Sequence, residues 1–356
     1  MVTSEAVVPL VRGTPWIAGV VNSLIGNIPQ VATRLNFTDR LGTFKVRVGL
    51  QRMHYMVEPG LYAVGTPTAE SPVFVSANYK LSFDHLRREL EGINGWIMVI
   101  DTKGINVWCA AGKGTFGTEE IIHRIEATRL AEVVSHRQII VPQLGAPGVA
   151  AHEVKRRSSF RVVYGPVRAH DLREFLDSGM KSTPLMRQVR FNLSDRLVLV
   201  PVEVVQGSLY YLAAAVVFFF LTGISENGYV LPGWAGGREI LILLLAFLAG
   251  NVFIPMLLPW LPGRALSLKG MTMGLCIAAV LLLTGLIPFA QTAGNLEAAA
   301  WILLIPAISA FTAMNFTGST TYTSLSGVKK EMRYAIPAQI LAAVAGLALW
   351  ITARFF

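Results

Sequence analysis

The hydrophobic pattern divides the chain into two parts of different character. Residues 1–205 hold 24 Lys and Arg with 18 Asp and Glu, whereas residues 206–356 hold only 7 and 4. The second part contains apolar runs that are each about long enough to cross the ~30 Å hydrocarbon core of a bilayer. These runs lie near 209–224, 240–261, 271–290, 298–314 and 336–353. The sequence therefore predicts a soluble domain at 1–205, with a core at about 60–180, and an all-α transmembrane domain of five spans at 206–356.

In the soluble part, short apolar runs alternate with amphipathic segments. This alternation is typical of an α/β fold in which helices cover a parallel sheet. The sequence thus predicts a Rossmann-like domain. Strands are predicted at 44–50, 73–76, 95–100, 138–142 and 160–164, and helices at 82–91, 119–134, 149–157 and 169–178.

Charge indicates how the chain is oriented in a membrane. The net charge is +9, but the basic residues are scattered and lack a nucleic-acid motif, so a nucleic-acid partner is not expected. With the soluble domain inside, the inner loops hold more basic residues than the outer segments, as the positive-inside rule requires. The inner set is Arg264, Lys269, Lys329, Lys330 and Arg333, and the outer set is Arg238 and Arg354.

This pattern predicts a multi-pass protein of the cell inner membrane, with a cytoplasmic N-terminal domain and the C-terminus outside. No cleavable signal peptide is evident at the start of the sequence. Because no carboxylate falls within a predicted span, an ion-coupled transporter is disfavoured.

The most informative chemistry lies just after the predicted strand at 95–100. The sequence there is Asn106-Val107-Trp108-Cys109-Ala110-Ala111-Gly112-Lys113. If Asn106 is an N-cap, Cys109 is the third residue of a short helix, where the helix dipole favours a thiolate that can bind a metal. The small residues after it leave room for a flat, wide ligand such as a macrocycle. Without further evidence, a packed and inert thiol stays the commoner alternative.

These residues carry a resemblance to a known family. The segment 106–113, continuing through Gly114-Thr115-Phe116-Gly117-Thr118, resembles the cap-helix motif of the corrinoid protein of the mercury-methylating pair, the HgcA family. Segments 76–84, 142–149 and 164–169, and a membrane domain after the soluble one, resemble that family too. A more distant similarity is to the corrinoid-binding domain of the corrinoid iron–sulfur protein of acetyl-CoA synthesis, a methyl carrier without this membrane domain.

The resemblance implies a cobalamin-dependent methyltransferase that passes a methyl group from cobalt to inorganic Hg(II) and so forms methylmercury. It implies that the Cys109 thiolate is the lower axial ligand of cobalt, and no histidine of the chain lies in the D-x-H-x-x-G pattern that would replace it. The cofactor is expected to be cobalamin or a related corrinoid. Contacts to it are expected from Asn106, Val107, Trp108, Ala110, Ala111, Gly112, Lys113, Gly114, Thr115, Gln143 and Gly145.

Several of these roles stay open at this point. Asn106 can cap the helix or hydrogen-bond the thiolate, Trp108 is more often a core anchor than a platform for a ligand, and Lys113 can pair with the cofactor or lie near the helix end. The hydroxyl-rich segment 315–333 is either a solvated linker or a surface for docking or substrate access.

Partners are implied as well. An iron–sulfur cluster typically needs four cysteine ligands, and this chain has only Cys109 and Cys276, so it is not expected to hold a cluster alone. The resemblance implies a ferredoxin-like electron donor with 4Fe–4S clusters, a methyl donor such as a methyltetrahydrofolate-linked methyltransferase, and contact with membrane lipid. Two alternatives remain: a membrane-bound methyl carrier of one-carbon metabolism, and a non-catalytic membrane scaffold that binds no cobalt.

Overall fold

The computed structural model describes residues 14–316 and 325–356, apart from the side chains of 325 and 326. The described chain divides into two compact units. The first consists of residues 14–46 and 50–189, and the second of residues 47–49, 190–316 and 325–356.

A seven-stranded mixed sheet organises the first unit. Its strands are Ile17–Ser23 (β1), Gly26–Val31 (β2), Gly60–Val64 (β3), Val73–Ala77 (β4), Gly95–Ile100 (β5), Gln138–Val141 (β6) and Arg161–Tyr164 (β7). The strand order is β1-β2-β3-β5-β4-β6-β7. The strands β4, β5, β6 and β7 run parallel to one another, whereas β3 is antiparallel to β5 and β1 is antiparallel to β2.

Helices cover both faces of this sheet, so the predicted Rossmann-like α/β class is confirmed. The residues of β4 and β5 are all buried, as expected for parallel strands that lie between two helical layers. The helices are Phe37–Arg47 (α1), Lys80–Glu89 (α2), Val107–Lys113 (α3), Thr118–Ala127 (α4), Leu130–Val133 (α5), Ala151–Ser158 (α6) and Leu172–Asp177 (α7).

One predicted strand is wrong. Residues 44–50 do not form a strand, because most of them belong to α1 or to the turn after it. A buried ionic cluster links α1 to α2. Lys80 bridges Asp39 and Asp84 at 2.7 Å each, and Arg87 bridges the same two carboxylates at 2.8 Å each. Both carboxylates are almost completely buried, so each charge is neutralised by two partners, as a buried charge requires.

The second unit is helical apart from a two-stranded hairpin at Ile224–Ser225 and Gly228–Tyr229. In the described residues it has five helical stretches, some made of two consecutive helices, that are long and apolar enough to cross a membrane. These stretches are Leu193–Leu221, Gly233–Leu257, Leu266–Leu283, Gln291–Asn315 and Gly327–Phe355. The prediction of five such helices is confirmed, although the first begins well before residue 209. The helices are Leu193–Leu197 (α8), Val200–Leu221 (α9), Gly233–Leu248 (α10), Ile254–Leu257 (α11), Leu266–Leu283 (α12), Gln291–Asn315 (α13) and Leu325–Thr352 (α14).

Two small residues let α12 and α13 pack closely. A Cβ added to Gly270 would lie 2.5 Å from the Cα of Ala310, and one added to Gly274 would lie 2.5 Å from the Cα of Pro306. The two glycines are four residues apart and so share one face of α12, the arrangement by which small residues bring membrane helices into backbone contact.

The expectation that no carboxylate lies within a span is wrong. Glu239 lies in α10 and Glu297 in α13, and both are buried. Arg238 and Arg354 each lie within 4 Å of both carboxylates, and the Trp350 indole N–H donates to Glu239 at 3.1 Å. Two arginines thus neutralise two glutamates, which is the usual way in which charge is tolerated inside a membrane protein.

The segment 315–333 is only partly described. Residues 317–324, with most of its predicted hydroxyl groups, lie outside the described residues. Lys329, Lys330 and Arg333 do not lie in a loop, because α14 already begins at Leu325.

Candidate functional site

The candidate site lies at the edge of the sheet where the parallel strands end. Along the order β5-β4-β6-β7, the chain passes from β4 to β5 on one side and then crosses back to β6 on the other. The strand order therefore reverses between β4 and β6, and ligands of open α/β sheets bind beyond the strand ends at such a reversal. The helix that carries Cys109, α3, follows β5, and the turn Gln143–Gly148 follows β6.

Local capping defines both ends of α3. The Asn106 side-chain oxygen accepts a hydrogen bond from the Cys109 backbone N–H at 2.9 Å, so the predicted N-cap is confirmed. Gly114 ends the helix with a φ of 81°, a left-handed conformation that glycine adopts without strain. Cys109 is therefore the third residue of the helix, and its backbone N–H is held by the cap.

The two sides of α3 differ sharply. Ala110 and Ala111 are buried in the core of the unit, and Val107 packs against that core. Trp108, which is 39% exposed, and Cys109 are on the outer side. The exposure of Trp108 excludes the core-anchor alternative. Ala110 and Ala111 thus support the helix from beneath, and a ligand on the outer side would not touch them.

Glycine also shapes the outer side of α3. A Cβ added to Gly112 would have no atom within 4 Å. Lys113, next to it, is exposed as well. The outer side of α3 therefore has an open stretch beside the exposed thiol, flanked by an aromatic ring and an ammonium group.

The turn Gln143–Gly148 packs against the inner side of α3. A Cβ on Gly148 would lie 2.2 Å from the Phe116 carbonyl oxygen and 3.2 Å from the Ala111 Cα, and one on Gly145 would lie 2.4 Å from the Phe116 ring. Both glycines are therefore required for close packing. Gly145 is buried against Phe116, whereas Gln143 is partly exposed and is the residue of this turn, among those predicted, that solvent can reach.

Hydroxyl groups connect the same elements. The Thr118 hydroxyl accepts a hydrogen bond from the Ala150 N–H at 2.8 Å and so joins the start of α4 to the start of α6. The Tyr164 hydroxyl donates to the Val149 carbonyl at 2.7 Å and joins β7 to the end of the turn. Thr115 is half-buried, and its backbone N–H donates to the Ala110 carbonyl at 3.0 Å. These bonds fix the surroundings of α3.

A set of polar residues at the ends of β4 and β5 was not predicted to belong to the site. Asn78 directly follows β4, and Asp101 and Thr102 directly follow β5. Burial raises the pKa of the Asp101 carboxyl, but hydrogen bonds and charge from Lys103 and the charge of Arg124 outweigh it, so the net pKa lies below its usual range. The signal was available, because polar residues at the carboxyl ends of adjacent parallel strands lie close together.

The site offers a metal one protein ligand. Among the described residues, no group of three or more His, Cys, Asp or Glu side chains could hold a metal ion. Cys109 can therefore supply one soft donor to a metal whose remaining ligands come from a cofactor.

Comparisons with known proteins match this unit. Residues 51–174, which include Cys109, match the model of the family described as CO dehydrogenase/acetyl-CoA synthase delta subunit. The chain is also similar to the gamma subunit of the acetyl-CoA decarbonylase/synthase complex in several archaea. Identity is 30% over 128 residues for Archaeoglobus fulgidus, 34% over 123 for Methanopyrus kandleri and 33% over 122 for Methanocaldococcus jannaschii.

The match covers part of each protein. It spans 35%, 34% and 34% of this chain and 27%, 26% and 25% of the three relatives, in the same order, so the chain spans about a quarter of their length. The predicted distant similarity to proteins of acetyl-CoA synthesis is thus confirmed over this region. The five apolar helices lie outside the residues of the family match.

Proposed function

We propose that the first unit binds a corrinoid and carries methyl groups, with the Cys109 thiolate as the lower axial ligand of cobalt. The single observation that carries this proposal is the exposed cysteine at the third position of a capped helix, within a region similar to subunits of acetyl-CoA synthesis complexes. The corrinoid proteins of acetyl-CoA synthesis carry methyl groups, and this role is the one that the similarity favours.

The residues present fit such a cofactor. The outer side of α3 has the open stretch at Gly112 that a flat macrocycle would need, and the Cys109 thiol is exposed beside it. Trp108 offers an aromatic surface, Lys113 offers a cation to an anionic tail group, and the partly exposed Gln143 offers an amide. The bound corrinoid would supply a cobalt centre able to accept and release a methyl group.

The chain's own residues would then tune and hold that centre. The Cys109 thiolate would donate electron density to the bound metal, the kind of ligand tuning known from haem thiolate sites. Asn106 keeps the start of α3 in place through its bond to the Cys109 N–H. Ala110 and Ala111 fix the helix to the core, so the position of the sulfur is set by packing as well as by hydrogen bonds.

We further propose that the methyl acceptor is inorganic Hg(II). This finer assignment rests on the cap-helix segment 106–113 and on the helices that follow the soluble unit, both of which resemble the mercury-methylating family. It also implies a ferredoxin-like protein with 4Fe–4S clusters as electron donor, a separate methyl donor, and an inner-membrane protein whose soluble unit faces the cytoplasm and whose C-terminus lies outside.

A second candidate is a membrane-bound methyl carrier of one-carbon metabolism. The similarity to acetyl-CoA decarbonylase/synthase subunits favours it, because that similarity covers the Cys109 region. The two candidates share the corrinoid and differ in the methyl acceptor.

The test uses purified full-length protein loaded with methylated corrinoid, with Cys109→Ala and Cys276→Ala as variants. The proposal predicts about one cobalt per wild-type chain and methylmercury on addition of Hg(II). It also predicts loss of that product in Cys109→Ala but not in Cys276→Ala. Cys276 lies on the apolar helix α12 of the second unit, whereas the proposed corrinoid site belongs to the first unit. Methyl transfer only to a one-carbon acceptor, independent of Cys109, would favour the second candidate. Colourless protein without cobalt would favour a scaffold.

A further inference from the structure

The buried Asn78 side chain makes four hydrogen bonds near the site. It follows β4 directly and is 4% exposed. It belongs to the segment 76–84, whose Lys80 and Asp84 are explained by the buried ionic cluster between α1 and α2. That cluster leaves the role of Asn78 open.

The Asn78 side chain binds the loop that follows β5. Its oxygen accepts hydrogen bonds from the Thr102 N–H at 3.1 Å, the Thr102 hydroxyl at 2.9 Å and the Gly104 N–H at 3.0 Å. Its amide nitrogen donates to an Asp101 carboxylate oxygen at 3.1 Å. Three donors meet the oxygen and a carboxylate meets the nitrogen, so the orientation of the amide follows from its partners.

The bound loop has a demanding conformation. Lys103 and Gly104 have φ values of 58° and 69°, and such left-handed residues persist where the surroundings fix them. Asp101 accepts the Lys103 N–H at 2.9 Å, and Thr102 is fully buried. Asn78 thus supplies the central contact that holds a strained turn.

The same loop leads straight to Cys109. The Ile105 N–H donates to the Thr102 carbonyl at 3.2 Å, and the single Thr102 hydroxyl proton is shared between the Asn78 oxygen and the Ile105 carbonyl, which lies 2.7 Å away. The next residue is the N-cap of α3. Hydrogen bonds therefore link Asn78 to Thr102 and Thr102 to Ile105. The chain then continues directly into Asn106, whose side-chain oxygen accepts the Cys109 N–H.

We propose that Asn78 is a positioning residue that fixes Cys109 for metal ligation by holding the 101–105 loop. This inference rests on the proposed function for its purpose, but the geometric claim can be tested without the cofactor. It requires an amide at position 78, because an aspartate there would accept the three donors yet face the Asp101 carboxylate.

The first measurement is hydrogen exchange on the corrinoid-free full chain. It compares the wild type with Asn78→Ala, Asn78→Asp and the double variant Asn78→Asp/Asp101→Asn, in which the amide and the carboxylate change places. Asn94→Ala is the control. The Asn94 side-chain oxygen accepts the Thr66 N–H at 3.0 Å, and Asn94 directly precedes β5 whereas Thr66 lies between β3 and β4. In Asn78→Ala and Asn78→Asp we expect amide exchange to be about tenfold faster at 102–104 and also at Cys109 and Ala110. A tenfold change corresponds to the loss of roughly one to two hydrogen bonds. The double variant restores an amide–carboxylate pair and should recover protection from exchange. Asn94→Ala should leave protection in the Cys109 region unchanged.

The second measurement is the visible spectrum after loading with corrinoid. Asn78→Ala should keep bound cobalt but shift its visible spectrum toward that of Cys109→Ala. The double variant Asn78→Asp/Asp101→Asn should have a spectrum close to that of the wild type. Faster exchange confined to 102–104, or a wild-type spectrum in Asn78→Ala, would overturn the inference. If the wild type binds no corrinoid, the proposed function fails, while exchange at Cys109 still decides whether Asn78 holds it.

Discussion

At the scale of single residues, two glycines of the candidate site have opposite surroundings. Gly112 on the outer side of α3 has no atom within 4 Å of an added Cβ, whereas Gly148 beneath α3 would place a Cβ 2.2 Å from a backbone oxygen. Neither glycine has a positive φ, so an alanine at either position tests space and not backbone strain.

This contrast predicts different outcomes for two alanine variants. Gly112→Ala should fold normally and gain helix stability of about 1 kcal/mol at most, yet bind corrinoid more weakly because its methyl group would occupy the open stretch. Gly148→Ala should destabilise the unit by about 1–3 kcal/mol through overpacking. Thermal unfolding and corrinoid titration measure the two effects. Unchanged corrinoid affinity in Gly112→Ala would place the cofactor elsewhere.

Features of the site that depend on neighbours in sequence could be predicted, whereas features that depend on tertiary contacts could not. The Asn106 cap followed from sequence because capping depends on neighbours within one turn. The burial of Ala110 and the exposure of Trp108 did not, because the side of α3 that meets the core is set by the turn after β6. Asn78 was missed because its partners are more than 20 residues away in the chain.

At the scale of secondary structure, tertiary contacts decided the elements that sequence analysis assigned wrongly. Residues 44–50 alternate like a strand, but the N-terminal part of α1 presents Asp39 to Lys80 and Arg87 on α2. That ionic contact needs a helix. The strands β1, β2 and β3 were also missed. The strands β4 to β7 were predictable because their apolar runs are short and bounded by turn residues.

The ionic cluster predicts a defined pH dependence for α1. Burial raises the pKa of Asp39, but its hydrogen bonds with Lys80 and Arg87 outweigh that effect, so the folded-state pKa lies below the usual value. A depressed pKa stabilises the fold above the unfolded-state pKa of about 4, and this stabilisation is lost as the pH falls through the folded-state value. The protection of α1 amides from hydrogen exchange, relative to the intrinsic exchange rate at each pH, should therefore fall below about pH 4.

The variant Asp39→Asn checks the assignment. At pH 7 it should cost about 3–5 kcal/mol, because it leaves two buried cations sharing one carboxylate, and its remaining stability should depend less on acid. Glu119→Gln is the control, since Glu119 pairs with Arg157 on the exposed surface and should have little effect. An α1 that keeps full protection in Asp39→Asn would show that the cluster does not hold it.

At the scale of the whole molecule, the five apolar helices were predictable and the charges among them were not. Long apolar runs give a strong signal in sequence, but Glu239 and Glu297 lie just before the runs that were predicted and become part of α10 and α13. Their arginine partners come from α10 itself and from the end of the chain. Because every one of these charges is paired, the cluster gives the helices a fixed ionic contact.

The whole chain joins a unit similar to acetyl-CoA synthesis subunits with a set of apolar helices outside that similarity. Under the proposed function, methyl transfer is carried by the first unit, and the helices keep it at the membrane. The electron donor and the methyl donor would then reach Cys109 from the cytoplasm.

X-ray absorption at the cobalt edge, on the full chain loaded with corrinoid, tests directly whether Cys109 binds cobalt. We expect one sulfur neighbour in the first coordination shell of cobalt in the wild type and in Cys276→Ala, and none in Cys109→Ala. Cobalt bound by the wild type with only nitrogen and oxygen neighbours would contradict the assignment of Cys109 as the axial ligand.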